Sequence, residues 1–563
     1  MRQLFLFLSI FSQFIYAQNK YPTDQFRYPL DVPIYLSGTF GELRSNHFHS
    51  GIDIKTQQRE GLPVYAIGDG YISRIKVSPW GFGKAVYITH PKGNYTSVYA
   101  HLQGFSKELE AYVKKFQYAK KSFEVELYPN PEELKLEKGA VFAYSGNTGS
   151  SGGPHLHFEI RDASQRPINP LFFGIKVRDR ISPTINALFA YTFDQKSQVN
   201  HSNRPIRINI NPSALNEFKA DKVSAYGKVG FGINTFDRQD GTYNKNGVYS
   251  VEMKVNGVPY FSYDLEKFSF SETRYINAHI DYSFYKSYKS RIQKLYKWPK
   301  NPLSIYSLTE NDGIIDIKEG VNYDVEIVAT DFAGNKSTIH IPIEGKKLEI
   351  KRPTEIEKTE RFVRASIDNI YELENTSIYF PSGTFYENFY IDISQNDSIL
   401  TIHNNKMPVH KRYQITMDIA DYPVSEKNKL FIAGISKKGE LYYQRTQRKA
   451  NKLIAKTRSL GNFTIAKDTI APTVKAYNFK ANKWLSNYRY LKLKIDDDLS
   501  GINTYKATIN GKWILMEYEH KNNTLTYNFE DIDFKETKYY LKVIVTDNVG
   551  NSTTFTTTFY KNK

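Results

Sequence analysis

Cysteine is absent from all 563 residues of the chain. The protein therefore cannot form a disulfide framework or a thiolate site, and any metal ion must be held by histidine and carboxylate side chains. Beyond the N-terminus, long apolar runs are also missing, which excludes a transmembrane helix of about 20 residues. No nucleic-acid-binding motif accompanies the net charge of +17. The lysines are scattered among acidic residues, so we interpret most of this charge as solvated surface.

The N-terminus has the pattern of an export signal. Met1–Gln3 is a short basic start, Leu4–Tyr16 is an apolar run, and Ala17 precedes the expected cleavage point. We therefore predict a signal peptide over residues 1–17. The mature protein is expected outside the cytoplasm, in the periplasm or at the cell envelope or exterior.

The length of the chain predicts about three to five domains. Beyond residue 177, the openings D-x-x-x-P-T at Asp179 and Asp468 and the closings D-x-x-G-N at Asp331 and Asp547 repeat. These segments resemble bacterial immunoglobulin-like (Ig-like) β-sandwich modules. The predicted mature domains are 18–177, an Ig-like domain at 178–345 with an insert at 258–318, a β domain at 346–467 and an Ig-like domain at 468–563.

Two histidines alternate with apolar residues near residue 155. In a strand, Leu156, Phe158 and Ile160 would share one face, and His155, His157 and Glu159 the other. Two imidazoles on one polar face are expected where one histidine binds a metal ion and the other takes part in catalysis. A surface strand that carries two histidines by chance is the alternative, because two histidines do not complete a zinc site.

His49 and Asp53 form an H-x-x-x-D pair. A straight strand would separate them by about 13 Å, whereas two ligands of one zinc ion must have donor atoms only a few Å apart. We therefore expect the backbone to bend or bulge between them, and Gly51 to allow this. His47 is a competing ligand, but its spacing matches no partner, so we interpret it as a surface or outer-shell residue.

Residues 95–102 (YTSVYAHL) are predicted to be a strand in which Ser97, Tyr99 and His101 share one parity. This parity would let His101 face the same groove as the other site residues. His90 ends a strand beside a turn and is interpreted as structural. Asp496–Asp498 could bind Ca²⁺, but we favour a solvated turn.

Three separated blocks then carry a family resemblance. H-x-x-x-D, Y-A-H-L and S-G-N-T-G-x-S-x-G-P-H-L-H-F-E occur in this order over residues 35–162. The chain resembles the lysostaphin/LytM-type zinc endopeptidases. The resemblance implies a small, mainly antiparallel β domain with an open groove, and the peptide part of peptidoglycan as substrate.

Residue roles follow from the same resemblance. It implies that His49, Asp53 and His157 are zinc (Zn²⁺) ligands and that His155 and His101 are the catalytic pair. Two histidines and one carboxylate leave the fourth tetrahedral position open, as catalytic zinc requires. Glu159 would orient a ligand from the outer shell, or else form a buried salt bridge.

The chain departs from the shortest family members by an insert at residues 103–137. Within it, Leu109, Tyr112, Val113 and Phe116 have helical spacing after Ser106, a suitable N-cap. The insert begins two residues after His101. We therefore predict that it forms a wall or lid of the groove, with a peripheral decoration as the alternative.

The fold class predicted for the whole chain is mainly β: a small antiparallel-sheet metallopeptidase domain with a helical insert, followed by β-sandwich domains. The predicted function is an exported zinc endopeptidase that cuts peptide cross-links of peptidoglycan. A non-catalytic, groove-binding regulator of another wall hydrolase and a protease for protein substrates are the alternatives. The partners expected are peptidoglycan peptide stems and a regulatory or anchoring protein at the C-terminal β domains, and no nucleic acid.

Overall fold

A computed structural model describes residues 20–354, 358–531 and 535–562. The predicted signal peptide lies outside these residues. The protein is mainly β, with 46% of residues in strands and 8% in helices, as predicted. No helix in the described part of the chain is long and apolar enough to span a bilayer.

We keep the predicted domain limits as names for four units, while the limits themselves stay predictions. The N-terminal unit (20–177) contains, in chain order, β1 Leu36–Gly38, β2 Ile52–Lys55, β3 Pro63–Tyr65, β4 Gly70–Val77, β5 Lys84–His90, β6 Tyr95–Leu102, β7 Gly104–Phe105, α1 Lys107–Lys120, β8 Val125–Leu127, β9 Lys135–Leu136, β10 Val141–Tyr144, β11 His155–Arg161 and β12 Pro167–Ile168. Its main sheet has the order β1-β2-β11-β6-β5-β4-β8, and all of these pairings are antiparallel. The strand with the two histidines, β11, therefore lies between β2 and β6, which carry Asp53 and His101.

The helix α1 forms in the insert where the spacing predicts it. Ser106 is its N-cap, and its side chain accepts a hydrogen bond from the Leu109 backbone N–H. Leu109 and Val113 are buried on the inner face of the helix. Lys121 ends it in a left-handed conformation.

The second unit (178–345) is a large β structure. Its elements are β13 Thr184–Thr192, β14 Gln198–Val199, β15 Ile206–Ile208, β16 Ile210–Ala214, β17 Glu217–Ala220, β18 Val223–Phe236, β19 Ser250–Val255, β20 Val258–Asp264, α2 Ile276–His279, α3 Tyr282–Tyr288, β21 Gln293–Lys294, β22 Tyr306–Thr309, β23 Ile315–Ile317, β24 Asn322–Thr330 and β25 Lys336–Gly345. The segment predicted as an insert, 258–318, supplies strands β21 and β23, which pair with β18.

The described residues of the third unit (346–467) form two five-stranded sheets and one two-stranded sheet around an apolar core, and those of the C-terminal unit (468–562) form two sheets around another. The strands of the third unit are β26 Arg361–Val363, β27 Asn369–Glu372, β28 Thr376–Phe380, β29 Phe389–Ile391, β30 Ile393–Asn396, β31 Ile399–Ile402, β32 Tyr413–Asp418, β33 Leu430–Ile435, β34 Leu441–Tyr443, β35 Thr446–Lys449, β36 Lys452–Thr457 and β37 Gly461–Lys467. Those of the C-terminal unit are β38 Thr473–Ala476, β39 Lys483–Trp484, β40 Tyr490–Asp496, β41 Ile502–Ile509, β42 Lys512–Trp513, β43 Glu517–Glu519, β44 Thr524–Asn528, β45 Lys538–Asp547 and β46 Ser552–Tyr560.

The apolar core of the N-terminal unit continues into the second unit as one cluster. Phe268 packs on Phe40 and Phe48, with ring centroids 5.0 and 5.5 Å apart. Leu515 of the C-terminal unit also joins this cluster. The region that carries the histidines is therefore supported by parts of the chain that follow it by more than 90 residues.

Candidate metal centre and active site

The antiparallel pairing of β2 with β11 brings Asp53 to His157. These residues are direct cross-strand partners, so their side chains project from the same face of the sheet. His49 lies in the loop just before β2. All three residues are buried, with 6%, 7% and 3% of His49, Asp53 and His157 exposed.

Three donor atoms of these residues form a nearly equilateral triangle. His49 Nε2 lies 3.0 Å from both Asp53 Oδ1 and His157 Nδ1, and His157 Nδ1 lies 2.9 Å from the same Asp53 oxygen. Two ligands about 2.1 Å from a tetrahedral zinc ion would be roughly 3.4 Å apart. The geometry therefore fits one zinc ion with an open fourth position.

Hydrogen bonds on the far side of each imidazole set its tautomer. His49 Nδ1 donates to the Thr39 carbonyl at 2.8 Å, and His157 Nε2 donates to Glu159 Oε1 at 3.0 Å. In the neutral ring, each bond favours the proton on the nitrogen that faces away from the triangle and the lone pair on the nitrogen that faces into it. A metal ligand needs this arrangement of the proton and the lone pair.

Gly51 has a different role from the one predicted. The chain between His49 and Asp53 is not one straight strand, because β2 begins only at Ile52. Gly51 does not adopt a positive φ. A Cβ atom there would lie 2.3 Å from the Phe158 carbonyl oxygen. Glycine is thus required because the loop that carries His49 approaches β11 closely, and not because the backbone needs a positive φ there.

Glu159 makes the contacts that both of its predicted roles require. It is fully buried, and its Oε1 accepts hydrogen bonds from His157 and from the Ser50 hydroxyl. Its Oε2 accepts from Arg161 Nε at 2.6 Å. Asp53 is held in a similar way, because Arg44 donates to its Oδ2 at 3.0 Å.

These contacts decide the charges in the site. Burial raises the pKa of Glu159, but Arg161, His157 and Ser50 outweigh burial and lower this pKa to about 2. Burial disfavours charge on His157, yet its bonds to Asp53 and Glu159 raise its pKa to about 9. Burial also opposes ionisation of Asp53, and the surrounding histidines nevertheless hold its pKa well below its usual range. The site therefore carries two buried carboxylates, each paired with an arginine, and a metal ion bound at the triangle would have to displace the Nδ1 proton of His157.

His155 and His101 lie beside the triangle. Their ring centroids are 4.8 Å apart, and His155 Nε2 lies 3.5 Å from Asp53 Oδ1. His155 Nδ1 donates to the Gly153 carbonyl at 2.8 Å, and His101 Nδ1 donates to the Thr148 carbonyl at 2.9 Å. Each of these bonds places a proton on Nδ1, so Nε2 carries the lone pair in the neutral form of either ring. Burial, together with His157 and His155, lowers the pKa of His101 to about 3, so this ring is neutral.

The parity argument for His101 is wrong, although His101 does reach the site. Tyr99 pairs with Phe158 and is fully buried in the core, on the face opposite to His157. Between Tyr99 and Leu102, β6 contains one residue more than β5, and His101 has a φ of 60°. This bulge turns the His101 side chain toward His155, since a bulge re-aims the side chains of its strand.

Two other histidines take the places expected for them. His47 is exposed and is not part of the triangle. His90 is 1% exposed, and its ring bonds the Asp69 carbonyl and the Ser97 hydroxyl at 2.9 and 2.8 Å. Burial lowers the pKa of His90, which fits a neutral structural residue.

Contacts from the second unit support the loop that carries His49. The Phe48 backbone N–H donates to Thr273 Oγ1 at 2.8 Å, and Leu265 packs against Gly41. Both partners belong to the segment 258–318. Sequence reasoning missed this role because nothing in the composition of the segment indicates which surface it covers.

The C-terminal unit docks on the N-terminal unit beside the candidate active site. Its docking face consists of Trp513, Leu515, Glu517, His520, Lys521 and Asp531. The His520 ring packs at a tilt against Trp80 with ring centroids 4.1 Å apart, and Glu517 pairs with Lys84 at 3.0 Å. Lys521 Nζ donates to the backbone carbonyls of Asn147 and Ser151.

The loop held by Lys521 leads directly to His155 in the candidate active site. Ser151 Oγ lies 3.2 Å from His155 Nδ1. The helix α1 meets the same docking face, because Lys114 pairs with Asp531 at 2.6 Å and Tyr118 packs edge-on against Trp513 at 5.2 Å. That the insert forms a wall or lid of the groove stays a prediction.

Comparison with known proteins agrees with this geometry. Residues 47–120 match the family model Peptidase family M23. An uncharacterized metalloprotease of Haemophilus influenzae is 34% identical over 151 residues, which is 26% of this chain and 26% of that protein. The peptidoglycan DD-endopeptidase ShyA of Vibrio cholerae is 34% identical over 162 residues, 28% of this chain and 31% of its own. The resemblance to lysostaphin/LytM-type peptidases is confirmed.

The segment that resembles family M23 makes up only a part of this chain and of the proteins compared with it. The chain spans about a quarter to a third of the length of these curated relatives. The catalytic domain of the antimicrobial peptidase lysostaphin from Staphylococcus simulans aligns with 24% of this chain and 86% of its own, at 23% identity and a TM-score of 0.18. Residues 360–468 match a second family model, the Zu5-like domain, where the sequence predicted a β domain without a family.

Proposed function

We propose that the protein is an exported zinc endopeptidase that hydrolyses peptide cross-links of bacterial peptidoglycan. The observation that carries this proposal is the triangle of His49, Asp53 and His157, whose three donor atoms lie 2.9–3.0 Å from one another. M23-like sequence and the naming of a relative as a peptidoglycan DD-endopeptidase support the choice of substrate.

The residues around the triangle have separable tasks. Zinc bound there would supply a Lewis acid that activates water and polarises the scissile carbonyl. His155 Nε2 accepts the proton of the attacking water and returns it to the leaving amine. His101, neutral and with its Nδ1 proton held by Thr148, accepts a hydrogen bond from the same water and orients it. Glu159 keeps His157 in the tautomer that ligates.

The test combines metal content with hydrolysis. The mature protein and its His157→Ala and His47→Ala variants are purified and assayed for bound zinc and for cleavage of a soluble wall peptide. We expect His157→Ala to lose both zinc and activity, because three protein ligands leave no redundancy. His47→Ala is the matched control, two residues before a ligand but outside the triangle, and should keep both. Zinc and activity retained in His157→Ala would refute the ligand set.

The two alternatives give different results in this assay. A groove-binding regulator would bind the wall peptide without releasing products, even when it is loaded with zinc. A protease for protein substrates would leave wall peptides intact and cleave an unfolded protein such as casein.

A further inference from the structure

A cavity of about 580 Å³ lies between the second unit and the third unit. Strands β13 and β21 and helices α2 and α3 of the second unit line one side, and the loops around Tyr386 and Lys406 of the third unit line the other. The metal triangle and the two histidines beside it belong to a different surface, in the N-terminal unit. The cavity has the size of a small-molecule site, for which volumes of about 300–1,000 Å³ are typical.

Aromatic side chains form much of the cavity wall. Tyr296 is 3% exposed and packs edge-on against Phe193 and Tyr191, with ring centroids 4.8 and 5.5 Å apart. These contacts fix the rings in place before any ligand enters. Preformed aromatic walls suit a ligand with an apolar or ring-shaped body. The aromatic lining residues are Tyr191, Phe193, Tyr282, Tyr296, Trp298 and Tyr386.

The cavity also holds a buried ammonium group that lacks a counter-ion. Lys294 lines the cavity and is 8% exposed. Among the residues that the structure describes, its Nζ forms no salt bridge and donates no hydrogen bond. It lies over the rings of Trp298 and Tyr296, 4.5 and 5.5 Å from their centroids. This Nζ is not one of the polar atoms sealed in the core, so it is accessible from the cavity. An anion that enters the cavity would stabilise it.

Two nearby carboxylates do not serve as this counter-ion. Oδ1 of Asp281 accepts a hydrogen bond from the Phe284 backbone N–H at 2.9 Å, and its Oδ2 accepts one from the Tyr191 hydroxyl at 3.1 Å. Glu387 is exposed at the rim. Burial lowers the pKa of Lys294 to about 8, and the charges of Asp281 and Glu387 offset only part of this effect. These acids also restrict the ligand, because they would repel a dianion such as phosphate more strongly than a monoanion.

We propose that this cavity binds one organic monocarboxylate, whose carboxylate accepts hydrogen bonds from Lys294 Nζ and whose apolar body packs against Trp298. A neutral sugar would leave the ammonium without a counter-ion, and an inorganic anion would leave the aromatic walls in contact with water. A free small carboxylate and the C-terminal end of a peptide share the required chemistry. The proposal does not depend on hydrolysis, because Lys294 lies outside the metal site.

Binding is measured by titration calorimetry on the mature, zinc-loaded protein. The ligands are benzoate and N-acetylalanine, each compared with its carboxamide. We expect one molecule of carboxylate per chain, with a dissociation constant of about 1 mM or lower for at least one of the two. Its carboxamide should bind at least about tenfold more weakly, because hydrogen bonds to charged groups are the stronger ones. Tighter binding of benzoate would identify a free small carboxylate as the ligand, and tighter binding of N-acetylalanine the end of a peptide.

Two variants locate the bound carboxylate. Lys294→Met keeps the length of the side chain and removes its charge, so it should weaken binding at least about tenfold. Lys297→Met is the matched control. It removes a lysine three residues further on that does not line the cavity, and it should bind like the wild type. Carboxylate that binds equally to Lys294→Met and to the wild type would overturn the proposal.

A measurement on the unaltered protein avoids any effect of Lys294→Met on folding. With a pKa of about 8, about half of the Lys294 amine is unprotonated at pH 8, against less than about 1% of an ordinary lysine. Reductive methylation at this pH, mapped by mass spectrometry, should therefore modify Lys294. Saturating carboxylate should slow this modification and leave that of Lys297 unchanged. Equal binding of carboxylates and carboxamides, or no binding and no protection of Lys294, would contradict the proposal.

Discussion

Replacement of Glu159 by glutamine tests how the tautomer of a metal ligand is set. Oε1 of Glu159 accepts the His157 Nε2 proton, and Oε2 accepts from Arg161. A glutamine can satisfy only one of these donors, because its second position is an NH₂ group. If this NH₂ faces His157, the ring must place its proton on Nδ1, which is the atom of the triangle. If it faces Arg161, the NH₂ group and the guanidinium, which are both hydrogen-bond donors, face each other in a fully buried position.

The expected magnitude follows from these contacts. Loss of an outer-shell partner typically weakens metal binding by about 10–100-fold, or about 1.4–2.7 kcal/mol. We expect the upper part of this range, since Glu159 is fully buried and no water can replace its contacts. Ser50→Ala is the matched control. It removes a hydrogen bond to the same Oε1 and leaves the charge in place, so it should cost less than tenfold.

The assay is competition of each variant for zinc with a chromophoric chelator, followed by hydrolysis at saturating zinc. Glu159→Gln should recover most of its activity once zinc is bound, since Glu159 does not face the substrate. Zinc affinity of Glu159→Gln equal to that of the wild type would refute the view that Glu159 sets the tautomer of His157.

Three further predictions concern the catalytic base, the docked unit and a buried aspartate. His155→Ala should keep zinc and lose about 10²–10⁴-fold in the rate constant of hydrolysis; release of zinc would instead make it a ligand. A chain that ends at residue 467 should show faster amide hydrogen exchange over residues 147–153, and Lys521→Ala should reproduce part of this change. Unaltered exchange would mean that docking does not order the loop. Thermal stability should fall as the pH rises from about 4 to about 8, because burial raises the pKa of Asp237 from 3.8 to about 8 and this carboxyl must then lose its proton while buried; Asp237→Asn should flatten this profile.

The sequence predicted the features that depend on local pattern. Alternation placed His155, His157 and Glu159 on one face of a strand, and that strand is β11. Helical spacing and an N-cap at Ser106 predicted α1 with nearly its observed limits. In each case, the residues that decide the structure are a few positions apart.

Features that depend on distant contacts were not predictable in the same way. The position of His101 depends on a bulge in β6, and a one-residue shift in pairing reverses the face of every following side chain. The support of Phe48 by Thr273 and the docking of Lys521 on the loop before His155 join residues more than 200 positions apart. No periodicity in the chain encodes such pairings.

These long-range contacts also decide where the chain can be shortened. A chain cut after the N-terminal unit would expose Phe40 and Phe48, which pack on Phe268 of the second unit. Loss of activity in such a fragment would therefore not contradict the assignment of the catalytic residues. For this reason the chain that ends at residue 467 is the informative truncation.

The most direct test of the central claim is the identity of the bond that the enzyme cuts. Cross-linked peptidoglycan is incubated with the mature protein, loaded with zinc or stripped of it, and the muropeptides are identified by mass spectrometry. We predict that zinc-loaded protein converts cross-linked dimers to monomers with a newly freed amine and carboxylate, and that stripped protein and Asp53→Ala do not. Dimers that persist with the zinc-loaded protein, or that disappear equally with Asp53→Ala, would contradict the account.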